Sequence, residues 1–226
     1  MPRESRLSLI LIVLIVCAFL AAPAGATCVL YTDRITWEAA TSGIFTVDFE
    51  GLATAAVPGN YSTAGGYTIG GLQFIGLTPP ASYYLYAQDP ASSQNYTWGS
   101  GDVLMGPLAA WGGGYIQVNM PSGGVTSFGT NIMTHTPFAA QIVVTLSTGD
   151  VRTVNTFSNP NPAFVGFTSD VPITFVRLAP VNGAPMIDNF SYGAAMQETP
   201  EADSLILAGA GLLSILLGQR LRRRAA

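Results

Sequence analysis

From Thr27 to Ala195 glycine and proline interrupt the chain so often that it has no room for a long helix. No long segment there keeps apolar residues at the 3.6-residue period of an amphipathic helix. Between the breaks lie short runs rich in β-branched and aromatic residues. Eleven of them read as strands: Ile44–Phe49, Leu72–Leu77, Tyr83–Ala87, Val103–Met105, Tyr115–Asn119, Val125–Met133, Gln141–Ser147, Val151–Asn155, Ala163–Thr168, Ile173–Ala179 and Met186–Tyr192. In the first of these Phe45, Val47 and Phe49 alternate with Thr46, Asp48 and Glu50, the pattern of a half-buried strand. Ser147-Thr148-Gly149-Asp150 joins two runs as a hairpin turn. One short helix is expected near the start, capped by Thr32 or Asp33 and carrying Ile35, Trp37 and Ala40 as its apolar stripe.

A propeller or β-helix would show a repeat, and the sequence has none. The fold expected over residues 27–195 is therefore all-β, a single jelly-roll-like β-sandwich. Roughly 170 residues are ample for one core.

The two ends read as addresses. Arg3 and Arg6 precede an apolar run, Leu7–Ala22, and Ala24-Gly25-Ala26 supplies a small-x-small site. Residues 1–26 thus predict a secretory signal helix cleaved after Ala26, with a retained anchor or a lipoprotein signal at Cys28 as the competing readings. At the other end, residues 196–203 form an acidic linker containing Pro200 and Glu201. An apolar run from Leu205 to Gly218 follows, and then Arg220, Arg222, Arg223 and Arg224. At 1.5 Å per residue that run makes a helix of about 20 Å, short against a hydrocarbon core of about 30 Å. Arginine stems snorkel and Leu221 extends the run, so residues 204–226 are expected to span as a transmembrane helix with a cytoplasmic arginine stop.

The order of Pro-Glu motif, short Gly/Ala/Leu-rich helix and terminal arginines resembles the PEP-CTERM sorting signal of Gram-negative bacteria that make extracellular polysaccharide. Pro200 and Glu201 match its motif, and Ala202 replaces the second proline. The resemblance implies an inner-membrane intermediate, a processing exosortase as partner, and a destination at the cell surface or in an exopolysaccharide matrix. Two body segments are similar to secreted β-sandwich proteins that often carry this tail. One runs from Tyr31-Thr32-Asp33-Arg34 through Trp37-Glu38-Ala39-Ala40 to Val47-Asp48-Phe49-Glu50-Gly51-Leu52, and the other is Ile187-Asp188-Asn189-Phe190. That similarity implies an architecture and a location, not a reaction.

Composition excludes whole classes of function. Lysine is absent, and of the nine arginines only Arg34, Arg152 and Arg177 lie in the body, which has a clear acidic excess. Phosphate backbones are poorly served by such a surface, so no nucleic-acid partner is expected. Disorder is disfavoured by low charge and abundant aromatics. His135 is the only imidazole and no G-x-S-x-G elbow exists, which leaves Ser-His-acid and Cys-His catalysis without its parts. Cleavage would remove Cys17, so Cys28 has no disulfide partner and is expected as a small apolar residue against the first strand. Zinc sites want several Cys or His ligands.

Two constellations remain. Asp48 and Glu50 project from one strand face, roughly 7 Å apart at Cα. Asp188 lies on the last strand, where alternation puts it on the face of Met186, Phe190 and Tyr192. A carboxylate on an apolar face needs a partner; structural calcium held with Asp48 and Glu50, Arg177, or backbone N–H groups each supply one. Paired carboxylates also serve glycoside cleavage. The second constellation is aromatic. Tyr83, Tyr84, Tyr86, Tyr96, Trp98, Trp111 and Tyr115 cluster beside glycine-rich loops, and Trp98 and Trp111 are the candidates for stacking on sugar rings while Tyr84 and Tyr115 are expected in the core. The reading that follows is an exported, non-enzymatic surface or matrix protein. A lectin-like glycan-binding module and a carboxylate-based glycan-cleaving enzyme are the alternatives.

Overall fold

The computed structural model describes residues 26–57, 59–78, 81–91, 101–107, 114–136, 138–157 and 161–196. In chain order the elements are β1 (Cys28–Tyr31), α1 (Arg34–Ala39), β2 (Thr41–Val47), β3 (Gly59–Tyr61), β4 (Tyr67–Ile69), β5 (Leu72–Thr78), β6 (Ala81–Tyr83) and β7 (Tyr86–Gln88). Then come β8 (Val103–Met105), β9 (Tyr115–Asn119), β10 (Val125–Thr134), β11 (Gln141–Leu146), β12 (Val151–Asn155), β13 (Ala163–Ile173), β14 (Phe175–Pro180) and β15 (Pro185–Ala195).

These strands form two antiparallel sheets. The larger has the order β1-β13-β10-β15-β8-β7-β3, with β2 also pairing β15; the smaller runs β12-β11-β14-β9-β5-β4, with β6 on β5. From β8 onward almost every connection crosses from one sheet to the other. Between the sheets lies one core, to which β5 gives Leu72 and Phe74, β9 gives Ile116 and Val118, and β11 gives Ile142 and Val144. From the opposite sheet come Phe128, Phe167 and Phe190. Phe128 stacks on Phe167 at 5.4 Å and on Phe190 at 5.8 Å, and Phe74 meets Phe190 edge-on at 5.6 Å.

The expected helix is present and is capped by Asp33, whose Oδ1 accepts from Thr36 N at 2.9 Å. It covers the outer face of the larger sheet. Trp37, fully buried, lies over Gly129 and Gly166, which pair across β10 and β13. A Cβ on Gly166 would stand 2.6 Å from the indole, so only glycine leaves room for that ring. Ile35 is exposed and takes no part in the stripe.

The expected run Tyr83–Ala87 is split between β6 and β7, and three strands lie outside every expected run: β1, β3 and β4. Each is three or four residues long, and β3 reads Gly-Asn-Tyr. Their partners β13, β7 and β5 make them strands, a tertiary effect that local propensity does not carry. The hairpin at Ser147–Asp150 forms as expected, with Gly149 N donating to Leu146 O at 3.0 Å and Gly149 in the left-handed region. No helix among the described residues is long and apolar enough to cross a membrane. The expected signal helix lies almost wholly outside the described residues, and Pro200, Glu201, the terminal helix and Arg220, Arg222, Arg223 and Arg224 all lie outside them.

Candidate functional site

β15 changes partner part-way along. Met186 and Ile187 pair with Met105 and Leu104 of β8, whereas Phe190 onward pairs with Val47 and the rest of β2. Asp188 and Asn189 fall at the changeover, beside the end of β2 and the start of β8. A register shift lies opposite them, between Gly129 and Asn131, and Asn189 adopts φ +50°. This bulge overturns the expected alternation. Ile187 and Phe190, three apart, both enter the core, so Asp188 does not share the face of Phe190 and Tyr192.

The carboxylates of this junction are engaged by backbone donors. Asp188 Oδ1 accepts from Asn189 N at 2.5 Å and its Oδ2 from Asn189 Nδ2 at 2.6 Å. Glu50 Oε1 accepts from Asp102 N at 3.1 Å, and Asp48 Oδ1 from Glu50 N at 3.2 Å. Asp102, buried, accepts from both Gly51 N and Ala53 N at 3.0 Å. Arg34 reaches in from α1, donating to Asn189 O, Asn131 Oδ1 and Ser191 Oγ. Burial pushes the Asp188 carboxyl up to about 7; its hydrogen bond from Asn189 opposes this, Glu50 and Asp48 add to it, and Arg34 offsets part.

The structure thus brings Asp48, Glu50 and Asp188 within electrostatic reach of one another. It does not assemble them into a cation cage: among the described residues no three Asp, Glu, His or Cys side chains are grouped to hold a metal ion. Of the three partners weighed for Asp188, the N–H donors of Asn189 are the ones in contact. Arg177 lies in the other sheet, on β14. Asp102 has no counterpart in the sequence expectations; the signal was a lone acid at the head of the apolar run Val103-Leu104-Met105.

The remaining candidates separate. His135 is half-buried and burial pulls its imidazole below the usual range. Cys28 sits on β1 with Sγ 3.5 Å from Thr148 Oγ1, and burial pushes its thiol up, against thiolate chemistry. Trp98 and Trp111 lie outside the described residues. Tyr84 is exposed rather than in the core, and Tyr115 is half-buried on the outer face of the smaller sheet under Arg177. At the far edge of the larger sheet Tyr61, 66% exposed, lies 4.7 Å from Tyr86, whose phenol crosses Gly59.

No family model and no curated protein matches the chain. Among solved structures it is similar to CsCBM6-3 from Clostridium stercorarium in complex with cellobiose, at 16% identity and a TM-score of 0.34, over 53% of this chain and 86% of that one. It is also similar to a point mutant of CBM29-2, a family 29 carbohydrate binding module, at 15% identity and TM-score 0.34, over 62% of this chain and 98% of that one.

Chemically, the junction is a clamp. Its acids accept N–H bonds that would otherwise be lost where one strand hands over to another. Glu50 and Asp102 tie the segment after β2 to the start of β8 in both directions.

Proposed function

We propose that the chain is an exported, non-enzymatic surface or matrix protein, sorted through its Pro-Glu and arginine tail and associated with extracellular polysaccharide. The observation that supports the non-enzymatic part is the clamp: Glu50 Oε1, Asp102 Oδ2 and Asp48 Oδ1 each accept from backbone N–H groups, which gives these acids a structural use at the strand junction. Export and tethering rest on the sequence order at the two ends.

Two experiments test this reading. Cells expressing the full chain and a chain ending at Gln197 are fractionated; the full chain is expected with membrane and surface polysaccharide and the shortened one in the medium. Equal release of both removes the sorting claim. A reducing-sugar assay on surface polysaccharides is expected to show no turnover, and turnover abolished by Glu50→Gln would replace this reading with the cleaving enzyme. Glycan binding is the second reading, favoured by the hydrogen-bonded row of Arg177, Gln117, Asn119 and Gln73 on the outward side of the smaller sheet.

A further inference from the structure

The outward face of the smaller sheet carries an ordered row of side chains that packing does not require. Arg177 on β14 donates from Nε to Gln117 Oε1 on β9 at 2.8 Å. Gln117 Nε2 donates to Asn119 Oδ1 at 2.7 Å, and Asn119 Nδ2 to Gln73 Oε1 on β5 at 3.0 Å. Gln73 Nε2 ends the row on Gly65 O at 3.2 Å. Every link runs the same way, so each amide is oriented by its neighbour rather than by water. With strands about 4.8 Å apart, the row crosses three of them, about 10 Å. All four side chains are half-buried and reach solvent.

The arginine at its head is the unusual member. Phe175 lies 4.9 Å and Tyr115 5.4 Å from the guanidinium, holding it between rings. Arg34 pairs with Glu38 and Arg152 with Asp150, but Arg177 has no ion-pair partner among the described residues. Nor does any of β4, β5, β9, β11, β12 and β14 contain Asp or Glu, although nine of the chain's acids lie within residues 27–195. One uncompensated cation therefore sits on a sheet face free of carboxylates.

We propose that this face binds a polysaccharide strand bearing sugar carboxylates, an inference that rests on the polysaccharide association above. The planar guanidinium, fixed through Nε, offers its Nη groups as a fork for a carboxylate. Each amide spends one N–H and one lone pair within the row and keeps one of each. A sugar hydroxyl is both donor and acceptor and matches that pair. Because the row is already ordered, little side-chain freedom is lost on binding.

The test uses the detergent-solubilised full chain in affinity electrophoresis through polygalacturonate, with dextran as the neutral polymer. Retardation is expected at least tenfold stronger in polygalacturonate, falling at least tenfold in Arg177→Gln and less in Arg177→Lys. Arg152→Gln removes a cation elsewhere and is expected to change nothing. Gln117→Glu sets an acid against Arg177 and is expected to abolish retardation while melting as the wild type does, which covers the case where Arg177→Gln misfolds. Equal retardation in both polymers, retardation untouched by both Arg177→Gln and Gln117→Glu, or a change of oligomeric state in these variants in place of lost binding would overturn the proposal. Wild type and Arg177→Gln are also compared in the surface polysaccharide fraction of expressing cells. Association that survives the substitution sinks the site but not the broader reading, whereas its absence in wild type sinks both.

Discussion

Asp188 is only 4% exposed, and a carboxyl there holds its proton to about pH 7. In the unfolded chain the same group titrates near 3.8. Between those two values the folded state binds a proton that the unfolded state does not, so stability falls as pH rises through the window. The stabilisation is complete below the lower value and lost above the upper one. Thermal melts are expected to show a higher Tm at pH 5 than at pH 8, reflecting a stability difference on the order of 3 kcal/mol. Asp188→Asn is expected to flatten that dependence, and an unchanged pH profile in the variant would show that another group sets it. Chelation is expected to leave Tm where it is, because Asp48, Glu50 and Asp188 are not grouped as a cation cage among the described residues. At this scale the sequence foresaw that Asp188 needs a partner but not which one. The alternation argument fails at a bulge, and nothing in Ile187-Asp188-Asn189-Phe190 marks Asn189 as the residue that turns left-handed.

Among the elements, the segment leaving β2 depends on a single side chain. Asp102→Ala would leave Gly51 N and Ala53 N without their acceptor. At about 1–3 kcal/mol for each stranded donor, the loss is expected at about 2–6 kcal/mol, read as a lower urea midpoint with an unchanged m-value. Glu50→Gln keeps an acceptor oxygen for Asp102 N and is expected to cost under about 1 kcal/mol. On the outer face, Gly166→Ala would push a methyl into the Trp37 indole, and a cost of about 1–3 kcal/mol is expected in the same assay. Strands β8, β9 and β12 have the bounds the sequence predicts, because breakers or turn residues flank each apolar run. β13 and β15 run longer than expected because neighbouring strands extend them: Ser169 pairs with Cys28 of β1 and Ile173 with Val125 of β10, while Gly193 pairs with Ser127 of β10 and Ala194 and Ala195 with Ser42 and Thr41 of β2. The polar row from Arg177 to Gln73 was invisible beforehand: its members come from three strands, and only register makes them neighbours.

For the molecule as a whole, sequence periodicity was enough to indicate two sheets around one core, while the pairing of distant strands was not legible. β1 pairs with β13, and β2 with β15. A chain ending at Ala184 lacks β15, which borders β10, β8 and β2 and brings Ile187 and Phe190 to the core. Such a chain is expected to lack a cooperative melting transition, whereas one ending at Gln197 is expected to melt as the full chain does; a cooperative transition in the shorter chain would show that the sheet closes without its last strand.

That closure also sets a clock. A chain appearing N-terminus first, from a ribosome or through a narrow pore, presents β1 and β2 long before the strands that flank them exist outside. Both wait as unpaired edges until β13 and then β15 have emerged, and β15 ends at Ala195, directly before the tail. The sandwich therefore cannot complete itself on the near side of a barrier while threading proceeds. The edges left by β1 and β2 are covered only when β13 and then β15, the last strand to appear, have arrived.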